Sequence, residues 1–264
     1  LVSFASSERD NMVPAEADAV VTSSDNEAFV AAFTAFLDKA PVTGEVTTDG
    51  DGIHLHVDGK ASHGAWPENG INAGTYLGAF LATQTFDGAA ANFVQFIADD
   101  VHDDTVGAHL GVKITDDVMG ALSMNIGIMN FKDNHGEVTL NFRYPKNTSA
   151  EEITAAVVKG AEMHHGTAVA GRAMEPHYVS PEDPIVKTLL NVYHDQTGLP
   201  AKEEVVGGGT YGRLMKRGVA FGAMFPGVQD TMHQPNEFIP VDDIYRASAI
   251  YAQSIAQLAA QTDD

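Results

Sequence analysis

Cysteine is missing altogether from the 264 residues. That removes disulfide cross-links and thiolate nucleophiles, and leaves imidazole and carboxylate as the only strong donors for a transition metal. Cations are scarce, with 15 Lys and Arg against 36 Asp and Glu and a formal charge of -21. Such a surface repels phosphate backbones, which argues against nucleic acids and anionic membranes as partners. No apolar run reaches membrane-spanning length, and Leu1 to Ser6 lacks the charged and apolar regions of a signal peptide. A soluble cytoplasmic protein is expected. The opening Leu1 reads as the continuation of a longer chain. Tryptophan occurs once, at Trp66, where a packing role is the ordinary one. Against these absences stands an apolar content of 44%, enough for a folded core, and a length that suits one large domain or two ordinary ones.

Patterning organises the chain into helices alternating with strands. Ala19 to Thr22 reads as a strand, and Ser24 with Glu27 as a capping box for a helix carrying Phe29, Phe33, Phe36 and Leu37. Ile53, Leu55 and Val57 alternate with His54 and His56, which fall on a solvated strand face. Phe93, Phe96 and Ile97 suggest a short helix, and Asp99, Asp100, Asp103 and Asp104 a solvated acidic face. Leu122, Met124, Ile126 and Ile128 alternate, turn at Asp133 to Gly136, and return through Val138, Leu140, Phe142 and Tyr144, the pattern of a hairpin. Arg143 lies on the face opposite that apolar set, where a guanidinium suits bidentate carboxylate binding or a surface ion pair. Thr148 and Glu151 are expected to cap the next helix, which closes at His164 and His165. Short strands are expected at Thr167 to Ala170 and Glu203 to Val206. The stretch from Glu175 to Pro181 is the best boundary, and Asp183-Pro184 opens a further helix that stops at Gly198.

Two loops carry the candidate chemistry. Val219, Ala220, Phe221, Ala223 and Met224 read as a strand buried on both faces, stopped by Pro226-Gly227 and followed by His233 in a polar loop. Ligand sites of open α/β sheets gather at such strand ends, where an imidazole serves as metal ligand or proton carrier, although a plain loop histidine fits as well. His63 occupies a similar place in Lys60 to Gly74, between a strand end and a helix, with Pro67 and Asn69-Gly70 punctuating the loop. Gly207, Gly208 and Gly209 lack the Gly-Lys-Ser/Thr ending of a phosphate loop and suit close approach of backbone to a ligand.

Taken together, Asn11 to Pro14, Lys60 to Gly74, Gly207 to Tyr211 and Thr231 to Glu237 resemble, in order, the bacterial dipeptidases of the carnosinase and aminoacylase superfamily of di-zinc peptidases. Within that superfamily the motifs resemble those of the β-Ala-Xaa (Xaa-His) dipeptidases. The resemblance implies an α/β protein: an α+β lid domain with antiparallel sheets over residues 1–177, then the C-terminal segment of an α/β catalytic domain over 178–264. It implies that His233 is a zinc ligand, that His63 reaches from the lid to steady the oxyanion, and that Asn11 and Arg143 contact substrate, Arg143 through its C-terminal carboxylate. Gly208 and Gly209 would form a backbone wall. The family's remaining metal ligands, a His-x-Asp motif, a Glu-Glu pair and a further Asp, lie in an N-terminal segment, and no His-x-Asp or suitably placed Glu-Glu is expected to replace them here. Glu151-Glu152 and Glu203-Glu204 have ordinary structural explanations. With one of about three necessary zinc ligands, this stretch is expected to be inactive alone and to rely on an N-terminal part of the same protein for a two-zinc site. Its substrate would be a small dipeptide, hydrolysed by zinc-bound hydroxide. An N-acyl amino acid deacylase or desuccinylase, or a non-catalytic peptide-binding piece, are the other readings. Oligomeric state is not legible.

Overall fold

A computed structural model describes residues 1–50, 52–206, 209–222, 224–229, 231 and 236–261. The chain divides into two compact units, Leu1–Pro176 and His177–Asp264. Helices and antiparallel sheet are mixed, as an α/β class requires.

The first unit is built on a six-stranded antiparallel sheet. Its strands are β1 (Ser3–Ser6), β3 (Glu16–Val21), β4 (Thr43–Asp49), β5 (Gly52–Asp58), β9 (Ser123–Lys132) and β10 (His135–Arg143), in the order β10-β9-β1-β3-β5-β4, and two short ladders stand apart from it, β2 (Met12–Val13) with β6 (Ser62–His63) and β7 (Thr115–Asp116) with β8 (Gly120–Ala121). Period-two alternation decides which side is dry. Phe4 pairs with Ala19 and with Phe131, and Ala19 pairs with Leu55, so one buried row crosses four strands. Helices α1 (Asn26–Leu37), α2 (Ala73–Ala82) and α3 (Gly88–Phe96) supply the other half of the core. There Phe29 and Phe33 of α1 meet Phe80 of α2 edge-on, with centroids 5.5 and 5.0 Å apart.

Several local expectations are corrected. The cap of α1 is Asp25, which accepts from the Ala28 amide, rather than Ser24. Ser149 with Glu152 forms the capping box of α4 (Ala150–Met163), one residue beyond Thr148 and Glu151. Asp100 and Asp104 are buried rather than solvated. Asp100 lies in a π-helical turn, Ile97–Val101, and meets the Nε2 of His164 at 2.7 Å. Asp104 accepts from the amides of Val106 and His109. Burial pushes its pKa up, but these backbone donors outweigh burial and hold it below the usual carboxylate range. His54 and His56 do find carboxylates: His54 meets Asp49 at 3.1 Å, and His56 bridges Asp18 at 2.8 Å and Asp58 at 3.3 Å.

The β9–β10 hairpin forms with a bulge. Thr139 pairs with Ile128 and Leu140 with Ile126, so Gly127 is left without a partner. The extra residue shifts the alternation. Met129 and Phe131 take the dry face, and Ile128 is only half-buried.

The second unit has α5 (Pro184–Thr197) and α6 (Val241–Ala259) around a small core of Val192, Phe225 and Ile250. Asp183 caps α5 and is gripped by Arg217 through two bonds of 2.9 Å. No strand forms at Glu203–Val206 or among the described residues of 219–224, nor at Thr167–Ala170 in the first unit. A strand exists only where another strand completes its ladder, and the described part of the second unit offers none. Met224, Val205 and Val206 are exposed as a result. No described helix is long and apolar enough to cross a membrane.

Candidate active site

The site begins with a two-pair ladder apart from the main sheet. Strand β2 (Met12–Val13) runs antiparallel to β6 (Ser62–His63), with Met12 opposite His63 and Val13 opposite Ser62. Asn11 directly precedes the first strand, and the Gly64 amide donates to its carbonyl at 2.7 Å. A Cβ on Gly64 would come within 2.9 Å of that backbone, so glycine is required for so close an approach. Asn11 and His63, 52 positions apart in the text, are thus neighbours, and both are exposed.

Local bonds hold the imidazole. The Ala65 amide donates to His63 Nδ1 at 3.1 Å, the Trp66 amide donates to the His63 carbonyl at 2.9 Å, and the Ser62 hydroxyl donates to the Trp66 carbonyl at 2.8 Å. Because Nδ1 accepts, the neutral ring carries its proton on Nε2. His63 therefore presents an N–H donor at its outer edge, with the Trp66 ring 5.6 Å away. The loop's base is closed where Lys60 and Ile71 exchange backbone bonds of 2.8 and 2.9 Å. Asn72 then caps α2 through the Thr75 amide, and its side-chain amide donates to the Ile126 carbonyl.

Arg143 is half-buried at the end of β10. Two residues earlier on the same face, Asn141 donates to the Asp10 carboxylate at 3.3 Å, in the turn that carries Asn11. Just past Arg143, Lys146 meets both oxygens of Asp116 and fixes the chain leaving the strand. The Lys146 ammonium and the amides of Met119 and Val118 pull the Asp116 pKa down to about 2. The first unit therefore gathers Asn11, His63 and the strand end bearing Arg143 around one turn.

The second unit's candidates fare differently. Gly209 is exposed, and among the described residues a Cβ there would meet only the Arg213 side chain, at 3.6 Å, so none of the unit's described residues demands glycine. Gly208 and His233 lie outside the described residues. The chain on either side of His233 is clasped by Thr231, whose hydroxyl accepts from the Phe238 amide at 3.2 Å.

Two stretches do have His-x-Asp spacing, His56-Val57-Asp58 and His102-Asp103-Asp104. Neither makes a metal site. Both ring nitrogens of His56 face carboxylates, and His102 packs edge-on against Tyr76, its pKa lowered by burial. No group of three His, Cys, Asp or Glu among the described residues could hold a metal ion. The described donor set therefore does not fit a zinc centre, which needs about three protein ligands.

Sequence reasoning missed Asn125 of β9. Its side-chain amide donates to the carbonyls of Asp10 at 2.7 Å and Met12 at 2.9 Å, on either side of Asn11. The available signal was a carboxamide set between Met124 and Ile126, where an apolar strand offers it nothing.

The chain belongs to peptidase family M20/M25/M40, whose model matches residues 88–257. It is 39% identical over 98% of its length to the Bacillus subtilis protein named "Putative dipeptidase YtjP", and 40% identical over 98% to the Staphylococcus saprophyticus protein named "Putative dipeptidase SSP1012". The match covers 56% and 55% of those proteins, so the chain spans about half the length of the curated relatives it matches.

Proposed function

We propose that the protein is a metal-dependent dipeptidase, of the β-Ala-Xaa kind, in which residues 1–177 form a substrate-clamping lid and residues 178–264 belong to the catalytic domain. One observation carries this reading: the β2–β6 ladder seats Asn11 beside a His63 that exposes its Nε2–H. An N–H donor beside a carboxamide suits an amide substrate. The donor would stabilise the oxyanion as the scissile carbonyl becomes tetrahedral, and Asn11 would hold the substrate backbone. Arg143, at the end of the strand tied to the same turn, would take the C-terminal carboxylate and so favour peptides of two residues. Gly208 and Gly209 would let substrate backbone approach closely.

In this reading His233 is a zinc ligand, and the other ligands come from a part of the polypeptide comparable to the length of the relatives that this chain does not span. The names of those relatives agree with a small peptide substrate. Turnover of β-Ala-His and α-dipeptides, set against N-acyl amino acids by the active enzyme, tests the proposal. Preference for free dipeptides is expected. Preference for N-acyl amino acids would make the protein a deacylase.

A further inference from the structure

Three consecutive carbonyls of the Asp10–Met12 turn have their partners on two sides. Asp10 and Met12 accept from the side chain of Asn125, and Asn11 accepts from Gly64. The turn is therefore held between β9 on one side and the His63 loop on the other. Gly127 allows the contact with β9, since a Cβ there would lie 2.5 Å from Asp10 backbone atoms.

The Asn125 side chain is fully buried, and its Oδ1 has no partner among the described residues. The amide has one workable orientation, because a flip would aim Oδ1 at a carbonyl oxygen. A partly open cavity of about 160 Å³ is bordered by Val13, Tyr76, Met124 and Asn125. The Asn125 hydrogen bonds and the close backbone contact at Gly127 together hold the turn on that side. Asn141, directly across from Asn125 in the hairpin, adds the tie to the Asp10 carboxylate.

We infer that the cross-strand pair Asn125 and Asn141 is a positioning device that holds Asn11 and His63 in register with Arg143. The inference deepens the proposed function and rests on it for its catalytic meaning, but the clamp can be read without turnover. Asn125→Asp keeps size and shape while replacing two donors with a carboxylate facing two carbonyls. Burial and those carbonyls raise that carboxyl's pKa, and protonation returns one donor.

Hydrogen exchange on the chain tests the clamp. The Gly64 amide of Asn125→Asp should exchange about 10- to 100-fold faster than in the parent, as loss of two buried hydrogen bonds implies. The amides of Ala19 and Leu55 in the sheet core should be unchanged, and the Gly64 ratio of variant to parent should shrink as pH falls. If Asn125→Asp does not fold, Asn141→Ala takes its place, with several-fold faster exchange at Gly64 expected. Unchanged Gly64 exchange, or acceleration spread evenly over the sheet, overturns the inference. In the active enzyme, Asn125→Asp should lower kcat/KM about 10- to 100-fold, through misplacement of groups that remain present. A parent that hydrolyses no dipeptide would defeat the functional reading alone, leaving the Gly64 result to decide the clamp.

Discussion

At the level of single residues, the account turns on a histidine whose proton is placed by a backbone amide. His63→Ala in the active enzyme should cut kcat about 100- to 1,000-fold, the usual cost of removing one oxyanion donor, with little change in KM. Arg143→Ala should instead worsen both kcat and KM, because a carboxylate grip acts before and during the reaction; steady-state kinetics separates the two. Asp116 supports the chain leaving β10 in a way that pH can expose. Its pKa is about 2 against an ordinary 3.8, depressed by Lys146 and two amides. A depressed carboxyl stabilises the fold above its unfolded pKa and loses that contribution as pH falls through the folded value. Asp116→Asn should therefore lower the melting temperature at pH 7, and the gap from the parent should close between about pH 4 and pH 2. The residues of the proposed site were partly legible. His63, Asn11 and Arg143 could be nominated from the resemblance and, for Arg143, from its strand face. Asn125 could not, because its function lies in a contact 113 and 115 positions away in sequence.

Secondary structure was legible where sequence periodicity and neighbours agree. Helices α1, α2 and α5 follow their apolar spacing, as does β9 as far as Ile126. The bulge at Gly127 was not legible, since nothing local distinguishes a bulge glycine from any other strand glycine. Its reason is tertiary: the Asp10 turn lies against it. Gly127→Ala should force that turn outward and destabilise the protein by about 1–3 kcal/mol, measurable by denaturant unfolding. Strands at 203–206 and 219–224 were expected from local sequence alone and do not form among the described residues, because an apolar run becomes a strand only with a hydrogen-bonding neighbour. Between β3 and β5, His56 forms a staple whose pKa is raised, first by its hydrogen bond to Asp18 and further by Asp58. A raised histidine contributes below its unfolded pKa and loses that contribution as pH rises through the folded one. The melting difference between parent and His56→Gln should accordingly be present at pH 6 and shrink on going above about 6.5.

For the whole molecule, the two units differ sharply in what holds them. The first has a continuous core crossing six strands and four helices, whereas the second relies on Val192, Phe225 and Ile250 with Arg246 stacked 3.9 Å above the Phe225 ring. The second also exposes Tyr211, Leu214, Met215, Tyr245 and Ile255. That apolar surface fits a segment proposed to complete a larger catalytic domain. In this chain, amides of α5 and α6 should exchange well before those of β3 and β5.

The central claim is that Asn11 and His63 act on one substrate. A double-mutant cycle between them in the active enzyme, read as kcat/KM on a dipeptide, tests it most directly. The account predicts a coupling of about 1 kcal/mol or more, since neighbouring groups on a shared ligand are not additive. Additivity within about 0.3 kcal/mol, the behaviour of independent sites, would contradict it.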